Sequence, residues 1–293
     1  MKESLNSRFE SISPSAKSLL LTKALTTIPF AKEAAGMIWG DESILLTQEK
    51  LSSIGFIKRL FHFEKRYLSI DNALSETGIK NVIELSSGFS FRGLSMCKDP
   101  EVFYIDTDLP EIIENKKAIL IELTRKFCNY PIDNLYLQIL NALDGNAFSE
   151  IIKHFPSGPI AIVNEGLLVY LNDDQKKKVC SIIYDLLKER GGYWITADIY
   201  IKKETQHSIT DGFYEERGKQ FLANHQVEEN KFENFKSAEI FIENHGFNLY
   251  KRIDLPSSQL SSIKYLANFP RDKLNELKSQ KKTRETWILK PKK

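Results

Sequence analysis

The stretch 80–93, KNVIELSSGFSFRG, places a carboxylate inside an apolar run. Val82, Ile83 and Leu85 read as a strand buried on both faces, Glu84 interrupts them, and Ser86, Ser87 and Gly88 follow as a turn of small residues. Such a turn after the first strand of a doubly wound sheet lets a nucleotide-like ligand approach the backbone closely. The pattern G-x-G-x-x-G is not met, because its first position falls on Ser86 and its third on Phe91. A dinucleotide pyrophosphate would miss the bare glycine backbone it needs, and Glu84 would repel it. The same acid can order the donors of a ligand carrying an ammonium and a sulfonium, and S-adenosylmethionine (SAM) is such a ligand. The plainer alternative makes SSG a strand-to-helix turn and Glu84 a satisfied structural acid.

Asp108 stands twenty residues beyond Gly88, at the end of the second apolar run. An acid there commonly accepts both hydroxyls of an adenosine ribose, in SAM as in NAD. The segment DLPE also reads as a helix start, with Asp108 as the cap and Glu111 three residues on as in a capping box. Asp106 is the second acid within reach. The five histidines, His62, His154, His207, His225 and His245, show no ligand spacing, which predicts no metal site. No G-x-S-x-G elbow is present, which argues against a serine hydrolase.

The elements that must position these residues follow from short apolar runs at 101–107, 136–140, 159–166 and 191–199, each read as a strand buried on both faces. Between the last two, Val179, Ile182, Ile183, Leu186 and Leu187 share one face of a helix that Gly191 is placed to end. Strand, helix and strand at this spacing predict an α/β, Rossmann-like, doubly wound sheet that binds ligands outside the carboxyl ends of its strands. Runs at 247–253 and 283–291 complete seven strands, mostly parallel, with an antiparallel edge strand. Residues 1–76 read as a helical cap over the ligand edge and 77–293 as the main domain. The polar stretch 200–245 reads as a lid-like insertion or as a merely solvated helical one.

Lysine plus arginine (41) against aspartate plus glutamate (39) leaves a net charge of +2, too weak a field to draw the chain to nucleic acid or a membrane surface. A small molecule or a modest protein surface is the expected partner. Cys97, Cys128 and Cys180 are odd in number and far apart, which suits a reducing cytoplasm better than a disulfide framework.

In this order and spacing, VIELSSGFSFRG, DTDLPEIIENKKAIL and NEGLLVYL resemble the leucine carboxyl methyltransferase family and its bacterial branch of polyketide-type O-methyltransferases, over about residues 15–200. The resemblance implies a class I SAM-dependent methyltransferase. It implies that Arg66 contacts the methionine carboxylate of SAM, that Asp71 supports Arg66, and that Lys23 has a task like that of Arg66. Gly88 matches the turn glycine, Asp108 the ribose acid, and Glu165 an acid after the fourth strand that faces the cofactor's amino group. Tyr170 matches a tyrosine beside the transferred methyl and is the catalytic candidate. The family's adenine-contacting acid falls on Asn141, with Ala142 beside it. Where the family has G-A-G-x-D-T-R this chain has SSGFSFR, so Ser86 replaces a glycine and Ser90 an acid. On the residues alone, Arg66 also reads as an exposed helix arginine and Tyr170 as a core tyrosine.

The expectation is an O-methyltransferase acting on a carboxylate or hydroxyl of a small molecule or peptide C-terminus. No histidine lies inside a matched motif, which tilts the reading toward a carboxylate; His207 and His225 are the bases that would reverse it. The alternative, motivated by Ser86 and Ser90, is a non-catalytic SAM- or nucleotide-binding protein.

Overall fold

The computed structural model describes residues 19–202, 216–278 and 281–293. Its centre is one sheet of seven strands: β1 (Asn81–Leu85), β2 (Phe103–Asp108), β3 (Leu135–Ile139), β4 (Ile160–Asn164), β5 (Gly192–Tyr200), β6 (Phe247–Ile253) and β7 (Arg284–Pro291). Their spatial order is 3-2-1-4-5-7-6. The first five pair in parallel, and β7 runs antiparallel to both β5 and β6. The antiparallel strand expected at this edge therefore lies one place inside it, and β6 is the edge. The order reverses between β1 and β4, the crevice at which doubly wound sheets bind ligands.

β1 and β4 are buried at every position, as strands covered on both faces require. β3 departs from that expectation: it has a neighbour on one side only, and Tyr136 and Ile139 are exposed. On β1, Val82 packs with Tyr104, Val163, Ile195 and Ile70, while Ile83 and Leu85 pack on the opposite face with Ile105, Ile162 and Trp194. Alternation puts Glu84 on the Val82 face.

Helices α1 (Ala31–Trp39), α2 (Asp41–Glu49) and α3 (Ile54–Thr77) precede the sheet. The amino-terminal segment buries Leu20, Ala31, Ala34 and Ile44 with Leu60 against Phe89, Phe91 and Leu94 beyond the first turn. Ile70 and Leu74 of α3 lie on the sheet itself. α4 (Arg92–Met96) follows β1 and α5 (Pro110–Phe127) follows β2. A side chain at Gly93 would place its Cβ 2.7 Å from the side chains of Tyr104 and Leu135, so only glycine lets α4 lie this close to the sheet. α6 (Gly145–Ile152) precedes β4, and α7 (Asp173–Arg190) links β4 to β5. α7 starts in a capping box of Asn172 and Gln175, and the Gly191 N–H bonds Leu187 O at 2.9 Å to end it. α8 (Glu216–Asn224) and α9 (Phe235–Asn244) lie between β5 and β6. Residues 203–215 of the expected lid, His207 among them, lie outside the described residues.

Candidate active site

The turn after β1 holds Ser86 at φ 52° and Gly88 at φ 53°, both in the left-handed region. For an L residue with a Cβ this conformation is costly. Ser86 thus keeps the backbone that a glycine would adopt there. The Asp108 carboxylate secures the turn: one oxygen accepts from Gly88 N–H at 2.7 Å, the other from Leu109 N–H at 2.8 Å. Helix α5 begins at Pro110 with Leu109 as its cap and no side-chain cap bond, so the expected capping box of Asp108 and Glu111 is not formed. Burial raises the Asp108 pKa, and the two N–H donors oppose the rise. Both oxygens retain acceptor capacity after these bonds.

Asp106 lies deeper, 3.0 Å from Lys116 Nζ, which also donates to Ser87 Oγ at 2.9 Å. Burial pushes its carboxyl up to about 6 against the pull of Lys116. This pair braces the turn from beneath, which sets Asp106 apart from Asp108 at the carboxyl end of β2.

Glu84 is 1% exposed and also sits under the turn. Its oxygens accept from Tyr104 Oη at 2.7 Å, Ser90 Oγ at 3.4 Å and Arg92 Nε at 3.4 Å. The acid of the opening stretch therefore acts through Arg92, a residue that sequence reasoning passed over although it closes the SSGFSFR motif. The Arg92 guanidinium lies 3.8 Å from the centre of the Tyr67 ring and donates to Tyr67 O, Glu165 and Asp71. Asp71, expected to support Arg66, is thus paired with Arg92 instead.

Glu165 follows β4 directly and gathers three cations. Lys23 Nζ is 2.7 Å from Oε1, Arg66 Nε is 3.1 Å from the same oxygen, and Arg92 Nη2 is 3.0 Å from Oε2. Burial alone would raise this carboxyl, but Lys23, Arg66 and Arg92 outweigh it and hold the pKa at about 2. Burial lowers the Lys23 pKa, with Glu165 opposing. Arg66 is a buried member of this group, so its reading as an exposed helix arginine falls.

Arg66 reaches further. Its Nη1 donates to Tyr200 Oη at 3.2 Å, and Tyr200 Oη is 2.8 Å from His62 Nε2. Nothing in the sequence joins the two residues, which lie 138 positions apart in the chain. The available signal was the place of Tyr200 at the carboxyl end of the fifth apolar run.

The loop that carries Glu165 is shaped by Asp198, which accepts from the N–H groups of Gly166, Leu167 and Leu168 at 2.7, 2.6 and 3.1 Å. Tyr170 ends this loop, half-buried, with its ring 6.3 Å from Phe221 and 6.0 Å from His225. At the end of β3, Asn141 Oδ1 accepts from Leu143 N–H at 3.0 Å, and Ala142 is buried beside it. Asp144 is occupied as the cap of α6, accepting from Asn146 and Ala147 N–H at 3.1 Å each. Lys23, Arg66, Glu84 and Glu165 thus share one network through Arg92 and Glu165, Ser86, Gly88 and Asp108 form the adjoining turn, and Asn141, Ala142 and Tyr170 stand on separate loops. Among the described residues no group of three histidine, cysteine, aspartate or glutamate side chains gathers to hold a metal.

No protein-family model matches the sequence, and no curated protein matches it. Among solved structures, a putative methyltransferase from Thermobifida fusca YX is 17% identical, with 94% of each chain covered and a TM-score of 0.47. The mitomycin 7-O-methyltransferase is 10% identical, with 84% of this chain and 60% of that one covered and a TM-score of 0.47. Human N-acetylserotonin methyltransferase, in complex with SAM, is 11% identical, with 84% and 57% covered and a TM-score of 0.45. The chain spans 60% or less of the length of the last two. The strand order with its antiparallel β7 is that of a Rossmann-like, doubly wound α/β sheet.

Proposed function

We propose that the chain is a SAM-dependent O-methyltransferase that acts on an oxygen of a small molecule or a peptide C-terminus. The observation that carries this reading is the placement of two unlike carboxylates on either side of the strand-order reversal. Asp108, after β2, offers acceptors suited to ribose hydroxyls. Glu165, after β4, sits among Lys23 and Arg66 and offers a carboxylate and cations together. That donor set matches the zwitterionic amino-acid end of SAM, ammonium to Glu165 and carboxylate to Lys23 and Arg66. Asn141 and Ala142 flank the place of the adenine. The group, when bound, supplies a methyl on a sulfonium for in-line displacement. The chain's part is to align an acceptor oxygen about 3 to 3.5 Å from that carbon and to exclude water, and Tyr170 is placed to border the acceptor. Ser86 keeps the left-handed backbone of the turn, which speaks against the non-catalytic alternative that its identity suggested.

Isothermal calorimetry tests the reading with four ligands. SAM and S-adenosylhomocysteine should bind, adenosine should bind more weakly, and NADH should not bind. Absence of heat with SAM and S-adenosylhomocysteine overturns the proposal.

A further inference from the structure

Carboxylates and hydroxyls make different demands as methyl acceptors. A carboxylate arrives deprotonated, whereas a hydroxyl must lose a proton as the new bond forms. The ends of the strands lay out a sequence of stations: Asn141 after β3, Asp108 after β2, the Gly88 turn after β1, Glu165 after β4. The next strand is β5, and its last residue is Tyr200. One guanidinium, that of Arg66, touches both Glu165 and Tyr200, so the phenol lies directly beyond the proposed amino-acid subsite.

One of the two hydrogen bonds to Tyr200 Oη has a fixed direction. Arginine only donates, so the Arg66 N–H uses one lone pair of Tyr200 Oη and leaves the phenol proton for another partner. His62 Nε2 lies 2.8 Å away, and in its Nδ1–H tautomer it accepts that proton. With His62 as the acceptor, the second lone pair of Tyr200 Oη is left for an incoming O–H.

We propose that Tyr200 and His62 form the proton-accepting pair of the reaction, and hence that the methyl acceptor is a hydroxyl group. This rests on the methyltransferase reading above. As the acceptor oxygen bonds the methyl carbon, the bond from that carbon to sulfur breaks and its electron pair stays on sulfur. The hydroxyl proton passes to Tyr200 Oη while the phenol proton passes to His62 Nε2, and the half-buried imidazolium releases it to solvent. Charged groups facing Tyr200 are Arg66 from α3, Arg284 from β7 and Asp198 from β5 itself. Burial raises the Tyr200 pKa over the lowering by Arg66 and Arg284, so the phenol stays protonated at rest and serves as a conduit toward His62. Arg284 donates to Ala197 O and Thr286 Oγ1 and Arg66 is shared with Glu165, an arrangement that offers an incoming acceptor a base in place of a carboxylate clamp.

The test incubates the full chain with methyl-tritiated SAM and a deproteinised extract of the cells that make it, then treats the products with mild alkali. Methyl ethers survive and methyl esters release volatile methanol, so the acceptor class is read without knowing the acceptor. Alkali-stable products are expected. His62→Gln should lower their rate of formation at least tenfold, with calorimetric SAM affinity unchanged within twofold. Nitrogen-15 spectra of the wild type, with the His62 signals assigned by their loss in His62→Gln, should show the Nδ1–H tautomer. Alkali-labile products, or an Nε2–H tautomer, overturn the inference and leave the methyltransferase reading standing. Failure to bind SAM overturns both. SAM binding without any labelled product removes the proton-transfer role and the enzymatic reading together.

Discussion

Asp108 and Glu165 terminate strands on opposite sides of the reversal in the sheet, and they are held in opposite ways. Asp108 is secured by two neutral backbone donors, Gly88 and Leu109, and its pKa is raised. Glu165 is secured by three full charges, and its pKa is driven down to about 2. Neutral dipoles hold a carboxylate in place without discharging it, so it stays available to hydroxyls. Three cations make the other carboxylate the centre of a charge network whose members depend on one another.

The largest expected effect therefore belongs to Glu165→Gln, which takes the carboxylate partner from buried Lys23 and Arg66 and one of three from Arg92. It should destabilise the fold by about 3 to 5 kcal/mol in urea unfolding, the cost typical of breaking a buried pair by removing one partner. A loss smaller than that of Asp108→Asn would erase the contrast between the two sites.

Acid titration separates them next. The folded-state pKa of Glu165 lies below its usual 4.5, so it contributes stability above that value which disappears as the pH falls toward about 2. The contribution is on the order of 3 kcal/mol. Asp108 has the opposite sign, because its raised pKa gives stability at low pH that is lost as the carboxyl ionises. Urea midpoints of wild type and Glu165→Gln should converge between pH 5 and pH 2; a constant gap would show that the charge of Glu165 is not what the cations hold.

Asp108→Ala releases the N–H groups of Gly88 and Leu109 and should cost about 1 to 3 kcal/mol. The protein should remain folded by circular dichroism and lose SAM binding in calorimetry. Intact affinity with lowered stability would reduce Asp108 to a fastener of the turn.

The smallest change is Ser86→Gly, which frees the left-handed position and should raise stability by up to about 1 kcal/mol, less whatever the greater freedom of the unfolded chain takes back. A loss of stability would mean that the serine side chain outweighs its backbone strain.

All seven strands were legible because apolar runs bounded by turn residues survive any packing detail, and 247–253 matches β6 residue for residue. The exposure of Tyr136 was not legible, since it depends on β3 having a neighbour on one side only, a property of strand order. The same limit applies to the site. Arg92 follows a turn and opens a helix, where a lone arginine ordinarily faces solvent. Only the fold brings Glu84, Asp71 and Glu165 around it, and only the fold joins His62 to Tyr200.

The antiparallel β7 has a consequence for how the chain is made. Residues 284–291 are the last of the described strands in sequence yet an interior strand in space, flanked by β5 and β6. During synthesis, β5 and β6 emerge earlier and expose unpaired edges toward the gap that β7 will fill. Edges of that kind recruit other strands, so the nascent chain is most vulnerable to aggregation just before residues 284–291 arrive. Release of a chain that ends before residue 284 would leave two open edges in the middle of the sheet, and a chaperone that covers them should matter more to the yield of this protein than its stability once complete.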